Sequence, residues 1–142
     1  MNKSDIILGD WATLQKDAQS VRYHVFVVEQ HIPVEIEWDE MDVQCLHAVA
    51  YDDQGNPVGT GRLLPDGHIG RMAVLASQRN HGVGAAILRL LMAQAKLRGD
   101  RYVRLNAQQS AEKFYAREGF SRDSEIFLEA GIEHIGMAFH FN

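Results

Sequence analysis

One cysteine, three prolines and no long apolar run are what this 142-residue sequence is short of. A lone Cys45 cannot close an internal disulfide, which favours a reducing, cytoplasmic setting. No apolar stretch approaches the ~20 residues of a membrane-spanning helix, so no membrane partner is expected. Met1-Asn2-Lys3-Ser4-Asp5 lacks the basic and apolar regions of a signal peptide. A basic excess is missing too. With 14 Lys and Arg against 19 Asp and Glu, the formal charge is −5, which removes any global electrostatic reason to bind nucleic acid. A mildly acidic surface tolerates a cationic amine instead. The remaining composition, 46% hydrophobic and 23% charged, is that of an ordinary globular chain. Its length suits a single domain over residues 1–142.

Periodicity and breakers divide the chain. Asp5 to Leu8 reads as a strand, with Gly9-Asp10 as turn and cap. Leu14, Ala18, Val21, Val25 and Val28 recur at steps of four, three, four and three, which is one face of a helix; Pro33 ends it. Glu35, Glu37, Asp39, Glu40 and Asp42, with Trp38 and Met41 among them, read as a solvated acidic loop near a site. They lack fixed ligand geometry, as do Cys45 and His47, so no metal is expected. Cys45–Tyr51, Val58–Leu64 and His68–Val74 read as three successive strands separated by turns at 52–57 and 65–67. Val83–Leu97 is a strong helix former, apolar nearly all round and so mostly buried, closed by Gly99-Asp100. Tyr102–Ala107 follows a helix and is expected to run parallel to the strand before it. Ser110 reads as the cap of a short helix bearing Phe114 and Tyr115 and ending at Gly119. Two last strands are read near Glu125–Leu128 and His134–Phe141. The order β-α-βββ-α-β-α-ββ predicts an α/β fold with a mixed central sheet and helices on both faces.

From Met72 to Gly84 the chain reads Met-Ala-Val-Leu-Ala-Ser-Gln-Arg-Asn-His-Gly-Val-Gly: an apolar strand, a polar turn, then Arg79-x-x-Gly82-x-Gly84 opening a helix. Unpaired N–H groups at a helix start attract anions, and glycines let a phosphate approach the backbone. A strand leading into such a site can hold an extended, peptide-like arm along its edge. Phosphate at one end and such an arm at the other describe coenzyme A. A P-loop nucleotide site is disfavoured, since no Lys-Ser/Thr follows the glycines.

This order, together with Arg79-Asn80-His81-Gly82-Val83-Gly84, resembles the GCN5-related N-acetyltransferase (GNAT) superfamily. Phe114-Tyr115-Ala116-Arg117-Glu118-Gly119-Phe120 is similar to that family's tyrosine-bearing helix. Arg22-x-x-Val25-Phe26-Val27-Val28-Glu29-Gln30 and Gly131-Ile132-Glu133-His134-Ile135-Gly136-Met137 resemble its ElaA-like branch. The resemblance implies an acetyl-CoA-dependent N-acetyltransferase acting on a primary amine, with a small-molecule acceptor and a homodimer as expectations. An acyl-CoA-binding sensor or partner subunit on the same fold is the alternative, and Tyr115 is the residue such a sensor would not need.

The resemblance also implies roles. Arg79, Asn80, His81, Gly82, Val83, Gly84 and Ala85 cradle the coenzyme's pyrophosphate. Met72, Ala73 and Val74 lie along the pantetheine arm, and Met72 offers an N–H to the thioester oxyanion. Phe114 and Tyr115 flank the sulfur, where the Tyr115 hydroxyl protonates the departing thiolate; their reference pKa values lie near ~10 and ~8.5. Asn106 is a cap or turn amide by its residue type and a coenzyme contact by resemblance. Three candidates remain for the base that takes the amine's proton: Glu29 at the end of the first helix, His134 on a late strand, and His68 at the start of the strand before the motif. A relay through water is a fourth route.

Overall fold

The computed structural model describes residues 5–142; Met1 to Ser4, part of the stretch read for a leader pattern, lie outside them. Four strands, β1 (Asp5–Gly9), β2 (Leu46–Tyr51), β3 (Pro57–Leu63) and β4 (Ile69–Val74), form an antiparallel sheet in chain order. A second sheet holds β5 (Tyr102–Gln108), β6 (Ser121–Arg122), β7 (Phe127–Glu129) and β8 (Ile132–His140). There β8 pairs with β5 along its length, with β6 beside Ala138 and with β7 beside His134. The two sheets meet where β4 begins: His68 and Arg104 form a parallel bridge, and the Arg104 N–H donates to Gly67 O at 3.1 Å. The expected parallel direction of β5 is therefore present. No further ladder joins β4 to β5 among the described residues, so the two strands part beyond this bridge.

Helices cover both faces. α1 (Trp11–Arg22) starts at Asp10, whose side chain accepts from the Thr13 N–H at 2.9 Å, and lays Trp11, Leu14 and Ala18 on Val49 of β2. On the other face lies α3 (Val83–Leu97). Glycine makes this approach possible. A Cβ at Gly59 would lie 2.9 Å from carbons of both Val83 and Ile87, and one at Gly61 would lie 2.5 Å from Met72 Sδ. The helix therefore rests almost on the strand backbone, and its Ile87, Leu88 and Leu91 are fully buried in the main core with Val103, Leu105, Ile135 and Met137.

Several expectations need correcting. Val28 is 53% exposed, not on the buried stripe. After Arg22 the helix widens into π-helical turns over Tyr23–Glu29, with the Gln30 N–H donating to Val25 O. The wider turn brings Phe26 into the core beside Val25 and rotates Val28 out. This helix stops at Glu29, and Pro33 precedes a separate short helix, α2 (Val34–Glu37), followed by a 3-10 turn over Glu40–Gln44. The Val83–Leu97 helix is amphipathic rather than buried all round: Ala86, Arg89 and Ala93 face solvent, and Leu97 is 79% exposed. Ser110 caps nothing. It sits inside a 3-10 turn, Gln109–Ala111, that leads into α4 (Glu112–Arg117). The last stretch holds three strands where two were expected, because the two-residue β6 is too short to carry a pattern.

Candidate active site

The site is built from the two strand edges that part. Hydrogen bonding along β3 shows which way each β4 group faces. Before the bend, the Leu64 N–H donates to His68 O, which puts Arg62 opposite Gly70 in the same phase. Continued regularly, this register would aim the Met72 N–H at Thr60. It does not continue. The register shifts between Thr60 and Arg62, so two β4 residues, Arg71 and Met72, oppose the single Gly61, and Ala73 becomes the partner of Thr60. The Leu75 N–H bonded to Val58 O confirms the new phase. This is a β-bulge. Its extra residue, Arg71, has φ +49°, in the left-handed region that a non-glycine residue adopts at a cost of ~1 kcal/mol or more. The bulge turns the backbone groups of Met72 and Val74 away from β3, toward the open gap. Ala73 points its N–H into the sheet and buries its side chain against Val21, Val25 and Phe26.

The same reasoning orients β5. The Phe141 N–H donates to Arg101 O, so alternation aims the odd residues from Val103 to Ala107 at β8 and leaves the backbone groups of Asn106 and Gln108 facing the gap. The gap is thus lined from both sides by peptide groups without strand partners, among which the Val74 carbonyl accepts from the Arg79 side chain.

At its end stands the start of α3. Gly82 caps the helix at φ +82° and Asn80 is at φ +66°; the first helical hydrogen bond runs from the Ala86 N–H to Gly82 O. The N–H groups of Val83, Gly84 and Ala85 therefore lack helical partners and face outward at the positive end of the helix dipole. Asn80, His81 and Gly82 are exposed around them. A Cβ on Gly84 would lie 3.6 Å from both Phe114 and Val74, so α4 is packed against this cradle through Phe114. Tyr115 follows, its ring T-shaped to Phe114 at 5.0 Å between centroids and near Phe120 at 6.0 Å. No group among the described residues hydrogen-bonds its hydroxyl, and burial pushes its pKa up to about 12.

The candidate bases fall in different places. Glu29 forms a two-pronged ion pair with Arg79, at 2.7 Å for each bond, while Arg79 Nε donates to Val74 O at 2.9 Å. The hydrogen bonds from Arg79 hold the Glu29 carboxyl below its ordinary value. His134 is 6% exposed and lies opposite Gln108, whose amide donates to Gln30 Oε1 at 2.9 Å. Its Nδ1 is 2.7 Å from Ile132 O, an acceptor only, and its Nε2 is 3.6 Å from Glu129 Oε2. Its ring stacks on Phe127. Asn106 reaches toward Glu129 at 3.5 Å on the same face. His68 stands apart, at the closed end of the gap, half-exposed and bonded to Asp66.

The acidic run is solvated only in part: Glu35, Asp39 and Glu40 are exposed, while two of its carboxylates are not. Glu37 and Asp42 are each 3% exposed. Arg22, from α1, bonds Glu37 Oε1 at 2.5 Å and both oxygens of Asp42. Arg62, from β3, forks onto Asp39 at 2.8 and 2.9 Å and also bonds Asp42. Arg71 donates from Nε to Glu37 O and from Nη2 to Asp39 at 3.1 Å each. The Arg22 guanidinium lies over Trp11, and His47 contacts Asp42 O. The hydrogen bonds from Arg62 pull Asp39 down to about 2. This network, along with Gln30 and Gln108, was missed in the sequence. The available signal was Arg22 and Arg62 sitting among apolar residues, where an unpaired arginine is too costly to bury.

Residues 13–141 match the family described as "Acetyltransferase (GNAT) domain". A Bacillus subtilis relative described as "Uncharacterized N-acetyltransferase YjcF" is 44% identical over 126 residues, covering 86% of this chain and 89% of its own. Among solved structures, an acyl-CoA N-acyltransferase from Pseudomonas aeruginosa superimposes with a TM-score of 0.83 at 33% identity, over 96% of this chain and 99% of that one. Escherichia coli ElaA does so with a TM-score of 0.86 at 27% identity and the same coverage.

Proposed function

This chain belongs to the GNAT family of acetyltransferases, and on that premise we propose that it transfers the acetyl group of acetyl-CoA directly to a primary amine of a small molecule. The observation that carries the reading is the continuous run from the bulged β4 edge to the α3 cradle, ending beside Tyr115. Unpaired peptide groups suit an extended amide-bearing arm, and free N–H groups at a helix start suit a diphosphate. When bound, acetyl-CoA supplies an activated acyl group; the residues of the chain do the rest. The Val74 N–H and the backbone groups of Asn106 hold the arm. The Met72 N–H faces the gap as the donor for the developing oxyanion. Tyr115 keeps its proton because burial raises its pKa, and donates that proton to the departing thiolate.

For the base we assign His134 rather than Glu29. Arg79 already holds Glu29 as a weakly basic carboxylate, whereas the His134 ring, with Nδ1 on Ile132 O, turns its Nε2 to Glu129, a carboxylate that attracts an ammonium group. His68 is too far toward the closed end of the gap to serve. The lone cysteine supports a reducing, cytoplasmic setting for this chemistry.

A thiol-release assay with acetyl-CoA over a panel of primary amines, with calorimetry for coenzyme binding, tests the reading. We expect Tyr115→Phe to lower kcat about 100-fold while acetyl-CoA affinity changes less than about threefold. Failure of the wild type to bind acetyl-CoA or CoA would overturn the proposal. Binding without transfer to any amine would favour a sensor instead.

A further inference from the structure

We infer that Arg71 is a positioning residue: its guanidinium, clamped to the α2 segment and the turn after it, holds the bulge that points the Met72 N–H into the gap. The inference rests on the acetyl-transfer reading for its kinetic consequence, but not for its structural one. The unbulged register would pair Met72 with Thr60 and remove its N–H from the gap, as the phase of the Leu64–His68 bond shows. Only the extra residue at 71 breaks that phase. A left-handed arginine is unfavourable in isolation and persists where its surroundings over-determine it. Those surroundings are visible. Arg71 donates to Glu37 O and to Asp39 Oδ2; Arg62 forks onto Asp39; Arg22 ties Glu37 and Asp42 to α1. Arg71 thereby links the segment following the π-helical turns, on the amine side of the sheet, to the group that meets the acyl oxygen. Docking of that segment and orientation of the donor become one event.

The test uses Arg71→Ala, Arg71→Gly and Asp39→Asn in the full chain. Arg71→Ala loses the clamp and keeps the strain; Arg71→Gly loses both; Asp39→Asn weakens the clamp without touching β4. Amide hydrogen exchange is read first, without substrate. In the wild type the register predicts that Ala73 is protected by Thr60 and that Met72 exchanges freely. We expect the two to swap in Arg71→Ala, to stay as in the wild type in Arg71→Gly, and to shift partway in Asp39→Asn. In turnover with the best amine of the panel, Arg71→Ala should lose about 100-fold in kcat, the size of a lost oxyanion donor, and Arg71→Gly less than about tenfold, with the KM for acetyl-CoA nearly constant in both. Unchanged exchange in Arg71→Ala, or equal losses in the alanine and glycine variants, would overturn the inference and leave a plain ion-pair role. Should Arg71→Ala not fold, Asp39→Asn decides: partial protection at Met72 supports the clamp and an unaltered pattern refutes it. A wild type that transfers to no amine refutes the proposed function, while the exchange pattern still judges Arg71.

Discussion

The proposed coenzyme side and the proposed amine side of this molecule are made by opposite means. The first is backbone: a bulged strand edge, a left-handed Gly82 and three unpaired N–H groups at a helix start. The second is side chains: three arginines and three carboxylates interlocked behind the gap, with Gln30, Gln108 and His134 at its mouth. Backbone sites depend on local conformation, so their demands fall on a few residues close together in sequence. Side-chain networks depend on partners that folding brings from distant segments, such as Arg22 and Asp42. Mutations on the two sides should therefore fail differently.

The largest effect is expected on the amine side, and in stability. Arg22→Met would leave Glu37 and Asp42 buried without their shared cation, costing about 3–5 kcal/mol; the urea midpoint reads it. A loss below about 1 kcal/mol would mean that water reaches the acids and that the two sides differ less than their burial implies.

A smaller effect, in binding rather than stability, should mark the coenzyme side. Gly82→Ala forces a Cβ into φ +82°, a strain of about 1–2 kcal/mol; where the cap relaxes to escape it, CoA binding must restore it, a loss of roughly tenfold in affinity read by calorimetry. Gly84→Ala should change affinity less than about twofold, because its added methyl makes only ordinary 3.6 Å contacts. Equal effects at both positions would show that close approach, not backbone conformation, governs the cradle.

The smallest expected effect concerns acid. Asp39 is held at about 2 in the fold against an ordinary 3.8, so its ion pairs contribute fully above about pH 4 and are lost as the pH falls toward 2. The stability difference between wild type and Asp39→Asn should accordingly shrink over that window, read from urea midpoints at several pH values. A difference that stays constant with pH would locate the contribution in packing.

This contrast also explains what could be read from the residues alone. Val83–Leu97 matches its helix to the residue, since propensity and a capping glycine both act locally. The Gly82/Gly84 turn and the strand before it were likewise legible. Val28 was misplaced because the change to π-helical turns is set by how Phe26 packs on Ala73, which no periodicity records. The acidic run was misread for a related reason: Glu35 to Asp42 looks hydrophilic until Arg22 and Arg62 arrive from elsewhere. Arg71 gave no signal at all, because a bulge is a disagreement between two strands and neither strand contains it alone.

Cys45 carries a practical corollary. Its thiol donates to Met41 O at 3.2 Å, and burial pushes its pKa up to about 11. A sulfur that is buried and fully protonated reacts slowly with disulfide reagents, because only the exposed thiolate attacks. In a colorimetric thiol titration, then, the native protein stays silent while every mole of colour belongs to coenzyme released. Slow colour appearing with neither amine nor acetyl-CoA present would report not turnover but opening of the fold around Cys45, so the same colour reaction can follow both catalysis and local unfolding.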